Sequence, residues 1–445
     1  MSATPEVGPL THGRVLKIAL PIVLSNATVP ILGAVDTGVV GQMGLAAPIG
    51  AVGIGAVILT SVYWIFSFLR MGTTGLVAQA KGAGDTAETG ALLTRALLFG
   101  ATGGLALVVL QAALFWGAFA LAPASDEVEG LARDYMAIRI WGAPAAIGIY
   151  AVTGWLIGME RTRGVLVLQF WMNGINIALD VWFVLGLGWG VQGVAVATLI
   201  AEWSGLAMGL WLCRAAFRGE QWRDWVRVFD PARLKRMLAV NADIMIRSVL
   251  LTASFTTFLF LASDLGDVTL AANQVLLQFL EITAFALDGF AFSAEALVGA
   301  AVGARDRGAL RRAGIVSSQL GVAGAVALGV VFWVFGGTII DLMTTSEAVR
   351  AEARIYLPWL VAGPLLGIAA WMLDGIYIGA TWTREMRIAA LQSTGVYIAA
   401  LVVLLPWLGN HGLWLSLMIL NVARGLTLWV KYPRMEAGVR GPLPS

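Results

Sequence analysis

Apolar runs of about 20 residues recur along the whole chain with short polar breaks between them, and a helix of that length crosses the hydrocarbon core of a bilayer. About twelve such runs can be marked. An outer-membrane barrel would instead show shorter segments of alternating polarity. The composition agrees with helical spans, since 59% of the residues are hydrophobic, 13% are charged and the mean hydropathy is +0.82. The expected fold class is therefore an all-α integral membrane protein. Its N-terminal "MSATPEVGPLTHGRVLKIAL" is polar up to Lys17 and runs straight into a long span, so no cleaved signal peptide is expected. A single cysteine, Cys213, cannot form an internal disulfide, and His12 and His411 fall in a tail and a loop, which argues against a metal centre or catalytic dyad.

The breaks sort the charges by side. The N-tail, the even-numbered loops and the C-tail hold most of the 29 Lys and Arg, including Lys81, "ERTR" at 160–163, "RDRGALRR" at 305–312 and "TREMR" at 383–387. The odd-numbered loops, such as "SDEVEGLARD" and "SDLGD", are mostly acidic. The positive-inside rule then puts both termini and the central loop in the cytoplasm of an inner-membrane protein. An even number of spans follows, in agreement with twelve.

The basic segment 214–236, "RAAFRGEQWRDWVRVFDPARLKR", separates an N-lobe, 1–213, from a C-lobe, 237–445. It reads either as a solvated linker or as an amphipathic helix on the inner leaflet, with Trp222, Trp225, Val226 and Phe229 at helical spacing. The two lobes resemble each other at an offset of about 221 residues: "GWLIGMERTR" matches "GIYIGATWTR", and "VAQAKGAGD" matches "VGAAVGARD". Repeats of six spans each point the same way and are related by an axis along the membrane normal. Two such lobes form the plan of a carrier that encloses its own path and needs no partner, so a monomer is expected.

Ionisable groups inside spans cost about 2.5–3.5 kcal/mol each on insertion scales and mark substrate or ion paths. Asp36 lies in the outer part of span 1, Asp180 in the outer part of span 5 and Thr198 at the matching depth of span 6, while Asn176 is one turn before Asp180 on the same helix face. Two carboxylates, an amide and a hydroxyl read either as a hard-oxygen site for protons or for Na⁺ or as a polar network that locks spans 1, 5 and 6 together. In the C-lobe, Glu281, Asp288 and Glu295 repeat every seventh position along span 8, and Asp374 on span 10 can join them; the stripe reads either as a docking surface for a cationic substrate or as helix-to-helix hydrogen bonding. Arg70 and Glu295 fall at corresponding places in the repeat and are candidates for an inner gate. Asp243 and Arg247, one turn apart, read as a local ion pair.

Taken together, "PILGAVDTGVVGQMG", "NGINIALDVWFVLGLGWGVQGVAVATLIAEW", "LAANQVLLQFL", "ALDGFAFSAEALVGAAVGA" and "LDGIYIGATWTREMR" give a pattern that resembles the multidrug and toxic compound extrusion (MATE) family, in its DNA-damage-inducible protein F branch. The resemblance implies a V-shaped fold of twelve helices in two pseudo-symmetric six-helix lobes. It implies secondary antiport of small, often cationic organic compounds against Na⁺ or H⁺, with no cofactor beyond the coupling ion. Carried over by residue, the cation site is Asp36, Asn176, Asp180 and Thr198, while the C-lobe site of another branch is matched only by Asp374. A lipid-linked precursor flippase of the same superfamily is the alternative, although such a protein should show a basic cavity. Enzyme signatures of the HExxH and GxSxG kinds and a nucleotide-binding GxxxxGK[ST] loop do not occur, and nothing suggests nucleic acid as a partner.

Overall fold

The computed structural model of the chain describes residues 8–42, 46–121 and 125–439; the side chains of a few helical residues, Asp36 among them, lie outside that description. Among the described residues eleven helices are long and apolar enough to cross a membrane: Ala47–Gly82, Thr86–Val109, Asp126–Gly158, Thr162–Gly186, Gly190–Leu212, Pro231–Ser263, Asp267–Gly303, Arg307–Met343, Glu347–Gly379, Thr383–Leu408 and Asn410–Gly438. They are spans 2 to 12. Span 1 is made of two shorter helices, His12–Ala27 and Val29–Gly41, that meet at Thr28. Pro30 sits in the first turn of the second piece, where it needs no N–H partner, and cannot continue the first.

The repeat seen in the sequence is present in the backbone. Four turns that join successive spans each carry one residue at positive φ: Gly84 (71°), Glu160 (58°), Arg305 (57°) and Thr381 (53°). Gly84 and Arg305 are 221 positions apart, as are Glu160 and Thr381. Three of these turns close with the long bond of a Schellman motif, from Arg161 N–H to Leu156 C=O (2.7 Å), Asp306 to Ala301 (3.0 Å) and Trp382 to Tyr377 (3.0 Å). Asp85 and Asp306 then cap the helices that follow, accepting from the N–H groups of Glu88 and Ala309.

Glycine also sets the packing register within each half. A Cβ on Gly154 would lie 2.5 Å from the Arg70 carbonyl oxygen and one on Gly158 2.8 Å from that of Thr74; in the second half Gly375 faces Ala291 and Gly379 faces Glu295, both at 2.4 Å. These contacts align Arg70 with Ala291 and Thr74 with Glu295. Arg70 and Glu295 are thus one helical turn out of correspondence, because backbone contact, and not charge, fixes the register.

By internal contacts the chain forms two compact units. The first holds Leu24–Val77 and Asp85–Met237. Its segment 214–236 is neither a solvated connector nor one continuous helix. It is three short helical pieces, Arg214–Phe217, Gln221–Arg223 and Trp225–Val228, strapped onto span 3. Buried Arg95 donates to the Val228 and Arg227 carbonyls (2.8 Å each), Thr94 donates to that of Trp222 (2.8 Å), and Glu88 and Asp85 pair with Arg233 and Arg227. Three backbone carbonyls of the segment thus accept from span 3, while Val226 and Trp225 are exposed.

The second unit contains Leu238 onward together with the N-terminal stretch through Val23 and the short piece Ala78–Gly84. Here the end of span 2 crosses the end of span 8. A Cβ on Gly82 would fall 1.9 Å from the Ala300 oxygen, and one on Gly303 1.9 Å from the Gln79 oxygen. Residues 79 and 300, and residues 82 and 303, are equivalent in the repeat, so the crossing is symmetric about its own centre. Gln79 adds side-chain bonds to the Gly379 carbonyl and the Thr381 hydroxyl (3.0 Å each).

Candidate cation and substrate sites

In the first unit a polar stripe runs along span 5. Gln169, Asn173, Asn176 and Asp180 are spaced four, three and four apart, which puts them on one helix face. Gln169 donates to the Asn173 side-chain oxygen (3.1 Å), and Asn173 donates to the Thr28 hydroxyl (2.8 Å) at the break in span 1. Thr28 passes the chain on to the Ser25 carbonyl (2.7 Å). One turn further, Asn176 donates to the Thr198 hydroxyl of span 6 (3.2 Å), which donates in turn to the Val194 carbonyl (3.0 Å). Asp180 is 0% exposed.

Asp180 is also the last residue of the regular α-helix, and Val181–Gly186 continues as a π-helix. The wider turn is closed by Leu187 N–H bonding Trp182 C=O (2.9 Å) and by Phe183 stacking on Trp189 with ring centres 4.9 Å apart. Such insertions are rare and gather at functional sites. The helix Val29–Gly41, which carries Asp36, packs against span 5, its π turn and span 6. Of the four expected site residues, Asn176 and Thr198 are therefore bonded, Asp180 is buried one turn away, and the Asp36 side chain is outside the described residues.

Two further buried clusters hold charge. Glu202 of span 6 pairs with Arg139 of span 4 (2.7 Å), Arg139 also donates to the Tyr135 hydroxyl (2.8 Å), and Tyr63 of span 2 donates to the Arg139 carbonyl (3.1 Å). In the second unit Asp374 of span 10 is held by Arg247 of span 7, and Arg424 of span 12 places its Nε 3.6 Å from the same carboxylate oxygen. The expected local pair of Asp243 and Arg247 does not form. Asp243 accepts from Arg387 (2.8 Å) and Thr383 (2.9 Å) instead, since tertiary packing offers it a closer cation across the helix interface than its own helix does.

A family model described as MatE matches residues 21–182 and 244–403. The chain belongs to the MatE family. It is 39% identical over 425 residues to DNA damage-inducible protein F of Escherichia coli strain K12, covering 92% of this chain and 90% of that protein. A protein named probable multidrug resistance protein NorM from Synechococcus is 26% identical over 441 residues, covering 93% and 92% of the two chains. A MATE transporter of Vibrio cholerae, solved in its bent form, superposes with a TM-score of 0.84 at 19% identity, over 96% of this chain and 97% of that one. The fold is accordingly that of the MATE transporters, and membership of the family makes the chain a multi-pass membrane transporter and not an enzyme.

Within this MATE chain the two halves have diverged at their polar sites. The positions equivalent to Asp36, Asn176, Asp180 and Thr198 are Thr257, Tyr397, Leu401 and Ile419. The hard-oxygen set belongs to the first half alone. Of the remaining candidates, Glu281 is exposed on its unit, Asp288 is half-buried and Glu295 is buried, so the stripe along span 8 passes from surface to core. Arg70 is buried near the Gly82 end of span 2.

Asp374 stands between two guanidiniums, and that has a measurable consequence. Removing one partner of a buried ion pair costs about 3–5 kcal/mol, because the other charge is left without compensation. Asp374→Asn is expected to lower the thermal unfolding midpoint of the purified protein sharply, and Asp374→Asn combined with Arg424→Met to recover part of the loss. Equal midpoints for wild type and Asp374→Asn would show that the cluster holds nothing together.

Arg139, Arg424, Asn173 and the π turn are the features that reading the sequence missed. Arg139 is the last residue of the acidic helix Asp126–Arg139, directly after the part read as a loop. Asn173 did carry a signal, since it continues the three-and-four spacing of Asn176 and Asp180.

Proposed function

We propose that the chain is a secondary antiporter that exports small, drug-like, cationic organic compounds against H⁺ or Na⁺, with the coupling ion held in the first half by Asp36, Asn176, Asp180 and Thr198. The observation that carries this reading is the buried row on span 5, which runs from the broken helix of span 1 at Thr28 to Asp180 at the π turn. The names of the relatives, which include multidrug resistance proteins, support the substrate class. The distribution of Lys and Arg supports termini in the cytoplasm and an inner-membrane location.

In the proposed cycle a cation enters from outside onto the carboxylates. Oxygen donors of Asp, Asn and Thr suit a hard ion, and a carboxylate can equally take up a proton. Occupation of the site alters the polar row that Asn173 ties to Thr28, and the broken helix of span 1 takes a different bend. Coupling requires that cation and substrate favour different conformations, for a ligand with equal affinity for both shifts nothing. Substrate leaves outward, and the cation is released inward on return. Asp288, Asp374 and Glu281 remain candidates for the substrate path, with Asp374 accessible to a cation only if its arginines move away. Arg70 and Glu295 remain candidates for an inner gate.

The test is uptake of a fluorescent organic cation into proteoliposomes under an imposed pH gradient or an imposed Na⁺ gradient. Transport driven by one of them is expected. Absence of transport under both would overturn the reading.

A further inference from the structure

A pocket of about 330 Å³ opens where the turn between spans 4 and 5 meets the end of span 6. It is lined by Leu156, Arg161, Trp211, Leu212, Arg214 and Arg218 among others, with no acidic side chain in its wall. Three guanidiniums thus converge on one concavity. Arg214 lies over the Trp211 ring at 4.2 Å and donates to the Trp211 carbonyl (3.1 Å). Neither Arg161 nor Arg218 is in an ion pair among the described residues. Glu220, close to Arg218 in sequence, is paired with Arg223. Beneath them Cys213 is fully buried, and burial pushes its thiol up to about 12 against the pull of Arg161, so it supplies no counter-charge.

The other half of the molecule shows what the fold itself requires at this place. Arg161 is equivalent to Trp382, and a Cβ on Gly438, at the end of span 12, would lie 3.0 Å from the Trp382 ring. There the gap between the same turn and the last span of the half is closed by an indole. The backbone of the turn is the same in both halves, with Glu160 and Thr381 at positive φ. The open, basic form of the first half is therefore a property of its side chains and not of the repeat.

We propose that this pocket binds the phosphodiester headgroup of an anionic membrane phospholipid. Beside the guanidiniums the wall includes Leu156, Leu212 and the exposed Trp211 at the end of a span, the depth at which tryptophan meets headgroups. Arginine presents a planar fork of donors that matches two phosphate oxygens at once. Basic pockets between helix ends on the inner side of a membrane take lipid headgroups in the same way. The free inorganic anion lacks the acyl chains that exposed Trp211 and the adjoining bilayer would accept, so the lipid is the committed ligand.

The experiment uses the full-length protein, purified and delipidated in detergent, and follows its thermal unfolding midpoint with three probes: phosphatidylglycerol, phosphatidylcholine and inorganic phosphate. Phosphatidylglycerol near saturation is expected to raise the midpoint by about 3–6 °C, with both other probes leaving it unchanged. Arg161→Trp, which installs the residue of the second half, and separately Arg218→Gln, are expected to abolish the shift while leaving the lipid-free midpoint near that of wild type. If one variant fails to fold, the other carries the test, and phosphatidylglycerol retained on wild type but not on the variant in native mass spectra is the second readout. An equal shift in the variants, an equal shift with phosphatidylcholine, or the full shift with inorganic phosphate alone would overturn the proposal.

Discussion

Asp180→Asn is expected to remove gradient-driven transport while leaving the protein folded. The carboxylate is fully buried at the junction of α- and π-helix, and Asn176 on the preceding turn already bonds Thr198. Asparagine keeps the shape and an oxygen but can neither take up a proton nor carry the negative charge that a cation needs. Coupling free energies between sites are typically about 1–3 kcal/mol, or roughly 5–150-fold, so the rate under the driving gradient should fall by about two orders of magnitude. The thermal midpoint should stay near that of wild type, because asparagine keeps the shape of the buried side chain. Asp36→Asn is expected to behave likewise. If Asp180→Asn unfolds the protein and spares the activity of whatever remains folded, the residue is a helix lock. The comparison of rate per folded molecule, by size-exclusion quantification of the reconstituted protein, separates the two.

The second large effect concerns the crossing of spans 2 and 8. Gly82 and Gly303 each bring their Cα against the backbone of the other segment, and the atoms in the way are carbonyl oxygens, which cannot rotate aside as a side chain does. Gly82→Val or Gly303→Val should exclude this packing altogether, since overpacking a close contact costs about 1–3 kcal/mol even where side chains can adjust. Any transport cycle that passes through the conformation described above must then stall. Expected is a loss of transport of roughly tenfold or more for each variant, with normal insertion into the membrane. Gly53→Ala and Gly395→Ala, at glycines with nothing within 4 Å, serve as controls and should transport as wild type does. Wild-type rates in Gly82→Val would show that the crossing is not part of the working cycle.

Hydrophobicity made the helical membrane fold legible, because it depends on averages over many residues. The equivalence of the turns was equally open to reading: Asp85 and Asp306 sit at matched positions, and each does cap its helix. Contacts among the candidate residues were legible only where a helix face or a shared depth supplied them. Asn176 and Asp180 share a face by spacing alone, and Thr198 follows from depth. Partners across helices were not legible. Asp243 chose Arg387 over Arg247, Glu202 found Arg139, and Asp374 found two arginines, because which side chains meet depends on the rotation of each helix about its own axis. Arg70 matches Ala291 and not Glu295 because glycine contacts between backbones set that register. The π turn after Asp180 leaves no composition signature of its own, beyond the glycines of "LGLGWG" that follow it.

The central proposal is that a coupling ion held at the first-half site is exchanged for substrate. It is tested most directly by adding a transported organic cation to concentrated, detergent-solubilised protein in a weakly buffered solution and recording released protons with a pH indicator and displaced ²²Na⁺ by filtration. The account predicts release of one of the two ions on substrate addition to wild type, and none from Asp180→Asn. Release that is equal in wild type and Asp180→Asn, or substrate binding without release of either ion, would contradict it.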